Sequence, residues 1–325
     1  MVVTTHNRLH PLHRLCASLA EASAAGSDFE VVVTVDGADD GSVEMLSGWL
    51  DRLDLEVVVQ DKRRGPAAGR NRALAAATGD VVLFLDDDVI ALPGLIERHR
   101  RVHESDESAV AIGPMLPPRE WTQPSWLRWE AVTLQKQYDA MRRGEYGPTP
   151  RQFYTANASV RRAHVVAAGG FDETFTRAED VELAYRLEDR GLRFQFVPDA
   201  AVIHGPVRSW AGWQEVAYEY GRYSVIFERD RGRDQLTSAY AEWKERHPLN
   251  RALARLCVSH AARARLLRSV AGAAARRDGG RVWERLQMGL CSAVYSASYW
   301  QGVADETGLG TSVWAGRPHV REALA

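Results

Sequence analysis

The sequence predicts an α/β protein with a mostly parallel central sheet, followed by a helical C-terminal appendage. Three observations support this fold class. Short β-branched runs alternate with helical patterns through the first half of the chain, as in successive βα units. Several of these runs end directly at an acidic residue, which is typical of the carboxyl edge of a parallel sheet. After residue 210 only helical patterns remain.

The elements of the first half follow in order from the apolar runs. We expect strands near residues 1–5, 30–36, 55–60, 80–86 and 109–113, because these segments are rich in Val and other apolar residues. Helices are expected between them, near residues 11–25, 42–53, 66–77 and 92–104. The short connections between these elements favour a compact βα order.

The pattern changes after Gly113, where several prolines and tryptophans predict an irregular segment. A helix is then expected at about 126–143, a strand at 153–156, helices at 161–168 and 179–190, and a strand at 194–197. The α/β body should end near His204. The predicted domains are therefore residues 1–207, with halves at about 1–113 and 114–207, and a helical region at 208–325.

Charge is distributed unevenly along the chain. The net charge of −2 gives no general attraction to nucleic acid, so we expect no nucleic-acid partner. Residues 251–285, however, carry nine arginines against only Asp278 and Glu284. Three interpretations stay open: a peripheral contact with a membrane surface, a partner chain or homo-oligomer, and a solvated helix surface.

Cysteine usage and apolar segments bear on the compartment. The three cysteines show no metal-type spacing, which favours a reducing compartment. The chain opens on a strand-like run without a secretion signal, and residues 286–303 carry too many polar side chains for a spanning helix. We therefore expect a cytoplasmic protein, with peripheral contact at the inner face of a membrane as an option.

Three consecutive carboxylates, Asp86, Asp87 and Asp88, follow the apolar run at 81–85. Adjacent like charges repel, so a bound divalent cation is one explanation for holding them together. The competing interpretation is a solvated turn that opens a helix, because Asp is favoured at helix N-termini.

Two further segments have the composition of a nucleotide site. Asp36 ends the run at 31–35 and opens an Asp/Gly loop, where its carboxylate can accept hydrogen bonds from a base or a ribose. Gly65 and Arg70 lie in a basic, glycine-containing segment that enters a helix and can cradle phosphates. Neither a Walker loop nor a dinucleotide fingerprint is present. A plain turn and a basic helix start are the structural alternatives.

Three more residues complete the candidate constellation. Glu179 and Asp180 begin a helical pattern, where acids are ordinarily caps but where a carboxylate can also serve as a general base. His204 ends the last apolar run, and its imidazole can complete the coordination of an ion held by Asp88. A single histidine at a strand end is more often structural.

Taken in order, these segments resemble a family 2 glycosyltransferase with the GT-A fold. The resemblance covers about residues 1–207 and rests on motifs at residues 2–8, 36–42, 65–71, 84–88, 169–173, 179–180 and 202–204. It implies a nucleotide-sugar donor, with a UDP-sugar as the first expectation, and Mn²⁺ or Mg²⁺ as the metal cofactor. It also implies transfer of the sugar to an acceptor hydroxyl or amine with inversion at the anomeric carbon.

The resemblance also implies roles on the donor side. Asp36 would contact the base, with the Thr5 region lining the same pocket, and Gly65 and Arg70 would lie near the base or the diphosphate. Asp86 and Asp88 form the ends of an Asp-x-Asp motif. In this motif Asp88 binds the metal, Asp86 is a further candidate ligand, and Asp87 or Asp86 binds the ribose or the sugar.

Other implied roles concern the acceptor side. Asp180 would be the catalytic base, with Glu179 beside it, and His204 would be an additional ligand of the metal or diphosphate. Asn157 would shape the donor-sugar and acceptor site. The aromatic residues Trp121, Trp126, Trp129 and Tyr138 either stack on ligands in a cleft or pack in the core.

The acceptor stays open among a glycan, a glycolipid, a protein and a small natural product. No long channel-forming apolar region is present, so we expect a single addition rather than processive synthesis. Two other function classes are a sugar nucleotidyltransferase and a noncatalytic nucleotide-sugar-binding protein. The first ordinarily has a Gly-rich activating loop near the N-terminus, which residues 4–8 lack, and Asp88 and Asp180 weigh against the second.

Overall fold

The structure, a computed structural model, describes residues 1–119, 123–276 and 280–315. The chain divides into two compact units, Met1–Glu120 with Thr133–Pro206, and Trp121–Val132 with Val207–Ala325. We call them the sheet unit and the helical unit. The predicted domain boundary at residue 207 stays a prediction.

The sheet unit is built on a mostly parallel sheet, which confirms the predicted fold class. Its strands are β1 (Val2–Thr5), β2 (Val31–Asp36), β3 (Leu55–Gln60), β4 (Val81–Asp86), β6 (Ala109–Ile112), β8 (Asn157–Arg161) and β9 (Arg193–Phe196). Their order in the sheet is β3-β2-β1-β4-β8-β6-β9. Only β8 runs antiparallel to its neighbours β4 and β6 in the part of the sheet that the structure describes.

A second, three-stranded sheet lies in the same unit. It consists of β5 (Val89–Ala91), β10 (Val202–His204) and β7 (Met115–Leu116), in the order β5-β10-β7. The antiparallel register of β5 and β10 places His204 opposite Val89. The residue after Asp88 is thereby paired with the histidine that the sequence pattern singled out.

Helices connect the strands of the sheet unit and continue through the helical unit. They are α1 (Leu9–Ala24), α2 (Ser42–Ser47), α3 (Pro66–Ala76), α4 (Leu95–Ser105), α5 (Ser125–Arg142), α6 (Arg162–Ala167), α7 (Glu179–Asp189), α8 (Trp210–Arg231), α9 (Gln235–Glu245), α10 (Pro248–Cys257), α11 (Ala261–Ala275) and α12 (Arg281–Thr307). Two short 3₁₀ turns lie at Pro150–Gln152 and Gly310–Ala315.

Both surfaces of the central sheet are covered by apolar clusters. Val3 and Leu85 point into one cluster, whereas Val2 and Phe84 point into the other, as expected for the alternation of side chains along a strand. Burial on both sides explains why these strands read as continuous apolar runs. Asp36 and Asp86 stand at the carboxyl ends of two of these strands.

The structure corrects one predicted strand. Residues 153–154 have no regular structure and residues 155–156 form a turn, whereas the strand is β8, which begins at Asn157. Phe153 is fully buried in a core cluster. Its aromatic side chain is explained by this burial and does not indicate a strand. The strand itself contains Asn157 and Ser159, which lowered its apparent β-propensity.

Other predicted boundaries shift by a few residues. The helix expected at 42–53 ends at Ser47, because turns follow Gly48. The helix expected at 92–104 begins at Leu95, after Gly94 with φ of 77°. The short strands β5 and β7 were not predicted, because their pairing partners are distant in sequence.

The helical unit has its own aromatic cores. Trp126 and Trp213 are buried together in one cluster, with Trp129 packed against it. In the sheet unit, Tyr138 is fully buried and stacks on Phe196. These contacts assign Trp126, Trp129 and Tyr138 to core packing, and Trp121 lies outside the described residues.

Within the described residues, no helix combines the length and hydropathy needed to cross a bilayer. The three cysteines are free and buried. A cavity of about 760 Å³ lies in the helical unit, lined by residues of α8, α11 and α12, and none of the predicted site residues lines it.

Candidate functional site

The candidate site lies where neighbouring parallel strands β2, β1 and β4 end at the same edge of the sheet. Their registers pair Thr5 with Val35 and Thr4 with Asp86. Thr5, Asp36 and Asp86 therefore end adjacent strands, as expected for chemistry at a carboxyl edge.

The three acidic residues after the apolar run of β4 have different environments. Asp86 ends β4 with a side chain that is 36 % exposed, whereas Asp87 and Asp88 form a turn and are buried. β5 follows this turn, so the acids do not open a helix. The turn places Asp88 beside His204, with Asp88 Oδ1 and His204 Nε2 3.3 Å apart.

Asp86, Asp88 and His204 form a candidate metal cluster. One ligand atom from each lies within 4.8 Å of the others. That spacing fits a single ion, because ligands of Mg²⁺, Mn²⁺ or Ca²⁺ lie about 2.0 to 2.6 Å from the metal. Asp88 Oδ1 is buried beside His204, itself a candidate ligand, and accepts no further hydrogen bond from the described residues. The donor set fits a divalent cation that accepts carboxylate and imidazole ligands.

Arg8 is a site residue to which the sequence pattern gave no role. Its Nη1 donates to Asp87 Oδ1 at 3.1 Å and to Asp88 Oδ2. The pKa of Asp88 is held well below its usual range by His204 and Arg8, although burial opposes this. The position of Arg8 just after β1 could have identified it as a site residue, because β1 and β4 are adjacent and end at the same edge of the sheet.

Thr5 supports Asp87 from the neighbouring strand. Its Oγ1 donates to Asp87 Oδ2 at 2.7 Å, and Thr5 itself is almost fully buried. Burial raises the pKa of Asp87 to about 7, although Arg8 favours the ionised form. The predicted contact of Thr5 with a base pocket stays a prediction, and the observed contact gives this residue a positioning role.

Asp36 holds the loop that precedes α3. Its carboxylate accepts hydrogen bonds from the backbone N–H groups of Arg64 at 2.7 Å and Gly65 at 2.8 Å, and from Gln60 Nε2 at 3.3 Å. Asp36 is buried, so these contacts use much of its acceptor capacity. The direct contact with a base stays a prediction, and the structure adds a second role in shaping the phosphate-type loop.

The structure places Arg70 between the acidic turn and α7. Its Nη2 donates to Asp86 at 3.1 Å, its Nη1 donates to Glu179, and its guanidinium carbon lies 5.6 Å from the ring centroid of Phe171. Both terminal nitrogens are thus engaged by carboxylates. These contacts give Arg70 a bridging role, and its place near the base or the diphosphate stays a prediction.

A paired amide fixes the aromatic partner of Arg70. Asn71 Nδ2 donates to the carbonyl of Phe171 at 2.9 Å, and Asn71 Oδ1 accepts from the N–H of Phe171 at 2.8 Å. Gly170 has φ of 71°, and a Cβ there would lie 2.6 Å from Asn71 Oδ1. The predicted motif at 169–173 therefore fastens this segment to α3.

Glu179 and Asp180 begin α7 but have different surroundings. Glu179 is buried in its ion pair with Arg70, so it is poorly placed to accept a substrate proton. Asp180 is half-buried. Burial and the charge of Glu179 raise the pKa of Asp180 to about 7, against the opposing influence of Arg70. Of the two predicted catalytic acids, Asp180 has the properties of a base near neutral pH.

Asn157 lies in the interior of the sheet unit. It is 1 % exposed, and its Nδ2 donates to the carbonyls of Ala200 at 2.8 Å and Pro114 at 3.2 Å. His99 Nε2 lies 3.0 Å from its Oδ1. Because both ends of the amide are engaged in the interior, Asn157 would shape the donor-sugar and acceptor site by holding neighbouring segments, and that role stays a prediction.

Comparisons with known proteins bear on the family of this chain. The family described as "Glycosyl transferase family 2" matches residues 1–166. An uncharacterized glycosyltransferase, YfnE, of Bacillus subtilis is 28 % identical over 63 % of this chain and 64 % of its own length. The pre-mycofactocin glycosyltransferase of Mycobacterium tuberculosis is 31 % identical over 65 % of this chain and 44 % of its own. The chain thus matches about two thirds or less of each relative.

One solved structure supports the fold across most of the chain. The mannosyltransferase PcManGT from Pyrobaculum calidifontis, solved with GDP-Man and Mn²⁺, aligns with a TM-score of 0.61 and 19 % identity, covering 91 % of this chain and 84 % of that one. This likeness and the family match confirm the predicted fold and the resemblance drawn from the motifs. The chain belongs to glycosyl transferase family 2.

Proposed function

We propose that this protein transfers a sugar from a nucleotide-sugar donor to an acceptor hydroxyl or amine, in a single addition with inversion. The observation that carries the proposal is the connection through one buried arginine. Arg70 joins Asp86 of the candidate metal cluster to Glu179, the neighbour of the candidate base Asp180. A donor site and a proton acceptor are thereby held on one scaffold.

On the donor side, Asp86, Asp88 and His204 would hold Mn²⁺ or Mg²⁺. When bound, such an ion offsets the negative charge that develops on the leaving diphosphate. The loop held by Asp36 would present the N-terminus of α3, which begins at Pro66, to the donor. Family membership supports a nucleotide-sugar, and a UDP-sugar is the first donor to test.

On the acceptor side, Asp180 would take the proton of the attacking hydroxyl or amine. The acceptor oxygen or nitrogen bonds to the anomeric carbon while the bond from that carbon to the diphosphate oxygen breaks. The nucleoside diphosphate leaves with the electron pair of that bond, and Asp180 retains the proton. A single displacement of this kind gives inversion.

Names of two relatives favour a small natural product as acceptor. One is the pre-mycofactocin glycosyltransferase, and the other is the validoxylamine A glucosyltransferase of Streptomyces hygroscopicus, 30 % identical over 59 % of this chain and 51 % of its own length. Small natural products that carry a hydroxyl or an amine are therefore the acceptors to test first.

A nucleotide-release assay tests this function. Purified protein is given UDP-, GDP- and dTDP-sugars with Mn²⁺ and an acceptor panel, and release of nucleoside diphosphate is measured. We expect Asp180→Asn to lower kcat by about 10²- to 10⁴-fold with little change in donor KM. Asp189→Asn, at the exposed end of the same helix, serves as the matched control and should keep full activity.

The pH dependence gives a second readout. Because the pKa of Asp180 is raised to about 7, the wild-type rate should rise with pH up to about 7 and then level off. Turnover by Asp180→Asn at the wild-type rate, with the same pH profile, would contradict the assignment of the base.

A further inference from the structure

Helices α11 and α12 of the helical unit present apolar side chains to solvent. Leu266 and Val270 of α11 are 66 % and 53 % exposed, and Val282 and Leu286 of α12 are 83 % and 47 % exposed. Each pair is spaced four residues apart, so each forms a short stripe on its helix. Exposed apolar side chains grouped on neighbouring helices are candidates for an interaction surface.

Arginines flank both stripes. Arg263 and Arg265 lie beside the α11 stripe, and Arg281 and Arg285 lie beside the α12 stripe, all with exposed side chains. None of these four guanidinium groups makes an ion pair or hydrogen bond with the part of the chain that the structure describes. We call the four apolar residues and the four arginines the basic apolar surface.

Acidic residues are scarce around this surface. Among the described residues of α10, α11 and the first turns of α12, the only acid is Glu284, which lies 3.4 Å from Arg128. Intramolecular pairing with the acidic parts of the chain therefore does not neutralise the arginines. Their charge is available to an external anion.

We propose that the basic apolar surface docks on the surface of a lipid bilayer that contains anionic headgroups. Guanidinium groups match phosphate oxygens in bidentate geometry, while exposed leucines and valines can enter the boundary between headgroups and acyl chains. This inference does not depend on the proposed transferase activity.

The composition of the surface favours a bilayer over a protein partner. A second copy docked through the same surface would bring its arginines against those of the first, and like charges repel. Protein interfaces usually centre on aromatic anchors in pockets. Here the exposed apolar residues are aliphatic and stand between arginines, so the surface offers an apolar contact and an anion contact together.

Vesicle co-sedimentation tests the proposal on the full-length protein. We expect binding to phosphatidylglycerol vesicles, much weaker binding to phosphatidylcholine vesicles, and loss of binding as NaCl is raised. Arg265→Gln with Arg281→Gln should weaken binding to phosphatidylglycerol by about 30-fold, since each arginine near an anionic surface contributes about fivefold.

A second variant separates insertion from simple charge attraction. Leu266→Ser with Val282→Ser keeps all charges, and we expect it to weaken binding by about tenfold or more. The matched control is Arg101→Gln with Arg190→Gln, which removes two exposed arginines of the sheet unit and should leave binding unchanged. Unchanged melting temperatures verify that the variants fold.

Three results would overturn the proposal. The first is no binding to phosphatidylglycerol vesicles by the wild type. The second is binding that the control pair weakens as much as the Arg265 and Arg281 pair does. The third is a dimer in light scattering that Leu266→Ser with Val282→Ser dissociates, without vesicle binding, because that result assigns the surface to a second copy.

Discussion

Asp180 illustrates how single residues in this site are held at an energetic cost to the fold. Its carboxylate is half-buried beside the charge of Glu179, so ionisation is opposed and the pKa rises to about 7. A base needs such a pKa to accept a proton near neutral pH. The same environment destabilises the folded state at the pH where the base is active.

Asp180→Asn should therefore stabilise the protein while removing its activity. In the wild type the unfolded carboxyl ionises above a pH of about 4, whereas the folded carboxyl stays protonated up to about 7, so stability is lost over that window. Asparagine does not ionise. We expect a gain of about 1 kcal/mol in unfolding free energy at about pH 8, after allowance for solvent screening, and no gain at about pH 4.

Urea denaturation at these two pH values measures the difference. A loss of stability at the higher pH, or an equal gain at both values, would show that the carboxylate of Asp180 is not destabilised by its surroundings.

Arg8 and the acidic turn give a second prediction at this scale. Arg8 is the cation that contacts both Asp87 and Asp88. Arg8→Gln leaves these buried carboxylates without it, so the metal-free protein should lose about 1 to 2 kcal/mol of stability. Mn²⁺ should restore part of this loss, because it offers a replacement charge to Asp88.

Thermal melts with and without Mn²⁺ check the prediction, with Arg101→Gln as an exposed-arginine control. Equal melting temperatures of wild type and Arg8→Gln without metal would contradict a neutralising role for Arg8.

Residue types and positions at strand ends were predictable, but their partners were not. The sequence located Asp36, Arg70 and Asn157 from their place in the pattern. It did not indicate that Asp36 is engaged by its own loop, that Arg70 bridges carboxylates, or that Asn157 is buried. Those outcomes depend on contacts between segments far apart in the chain.

At the scale of elements, the loop between β3 and α3 depends on one close approach. Gly37 has φ of 63°, and a Cβ there would lie 2.4 Å from the backbone nitrogen of Arg63. Neither the backbone conformation nor the space suits a side chain. The glycine after Asp36 is therefore needed for the loop to reach the Asp36 carboxylate.

Gly37→Ala should displace this loop and lower donor affinity. We expect a stability loss of about 2 kcal/mol or more, against about 1 kcal/mol for Gly26→Ala. Gly26 is a matched control, because it also has a positive φ of 91° but a Cβ there would meet no described atom within 4 Å. Urea denaturation and nucleotide titration calorimetry report the two effects. Equal losses of stability in the two variants would show that the close approach of Gly37 to Arg63 has no effect.

The elements that the sequence predicted correctly are those with local signals. β2 and β4 are continuous apolar runs up to their ends because both surfaces of the sheet are covered there, and α3 begins at a Gly-Pro pair. β5, β7 and β8 lacked such signals, because short or polar strands form only when distant partners supply their hydrogen bonds. The pairing of β5 with β10 is what brings His204 to Asp88.

At the scale of the whole molecule, stability depends on a buried polar chain in the sheet unit. His99 Nε2 donates to Asn157 Oδ1, and Ser159 Oγ lies within hydrogen-bond distance of both His99 Nδ1 and His103 Nε2. Neutral histidines satisfy these contacts when Ser159 Oγ donates to His99 Nδ1 and accepts from His103 Nε2. Burial lowers the pKa of both His99 and His103 to about 4.

Acid should therefore reduce the contribution of these two histidines to stability. Unfolded histidines take up protons below a pH of about 6.5, while the folded ones resist until about 4, so this contribution falls as the pH drops through this window, with a sign opposite to that of Asp180. Each proton contributes a slope of up to about 1.4 kcal/mol per pH unit. Denaturant melts at a series of pH values from about 4.5 to about 7.5 measure this slope.

His99→Gln should remove the contribution of about one proton from the slope of stability against pH. We expect this change whatever the effect of the substitution on absolute stability. An unchanged slope would mean that His99 is already charged in the folded protein.

The central claim is that Asp86, Asp88 and His204 bind a divalent cation. This cation in turn binds a nucleoside diphosphate. The most direct measurement is a thermal-shift series with UDP, GDP, dTDP, ADP and CDP, each with and without Mn²⁺, on the wild type, Asp88→Asn and the exposed-acid control Asp199→Asn. We predict that one nucleotide stabilises the wild type and the control, that Mn²⁺ increases this shift, and that Asp88→Asn loses the metal-dependent part. A nucleotide shift that is independent of Mn²⁺, or equal in Asp88→Asn, would contradict the claim.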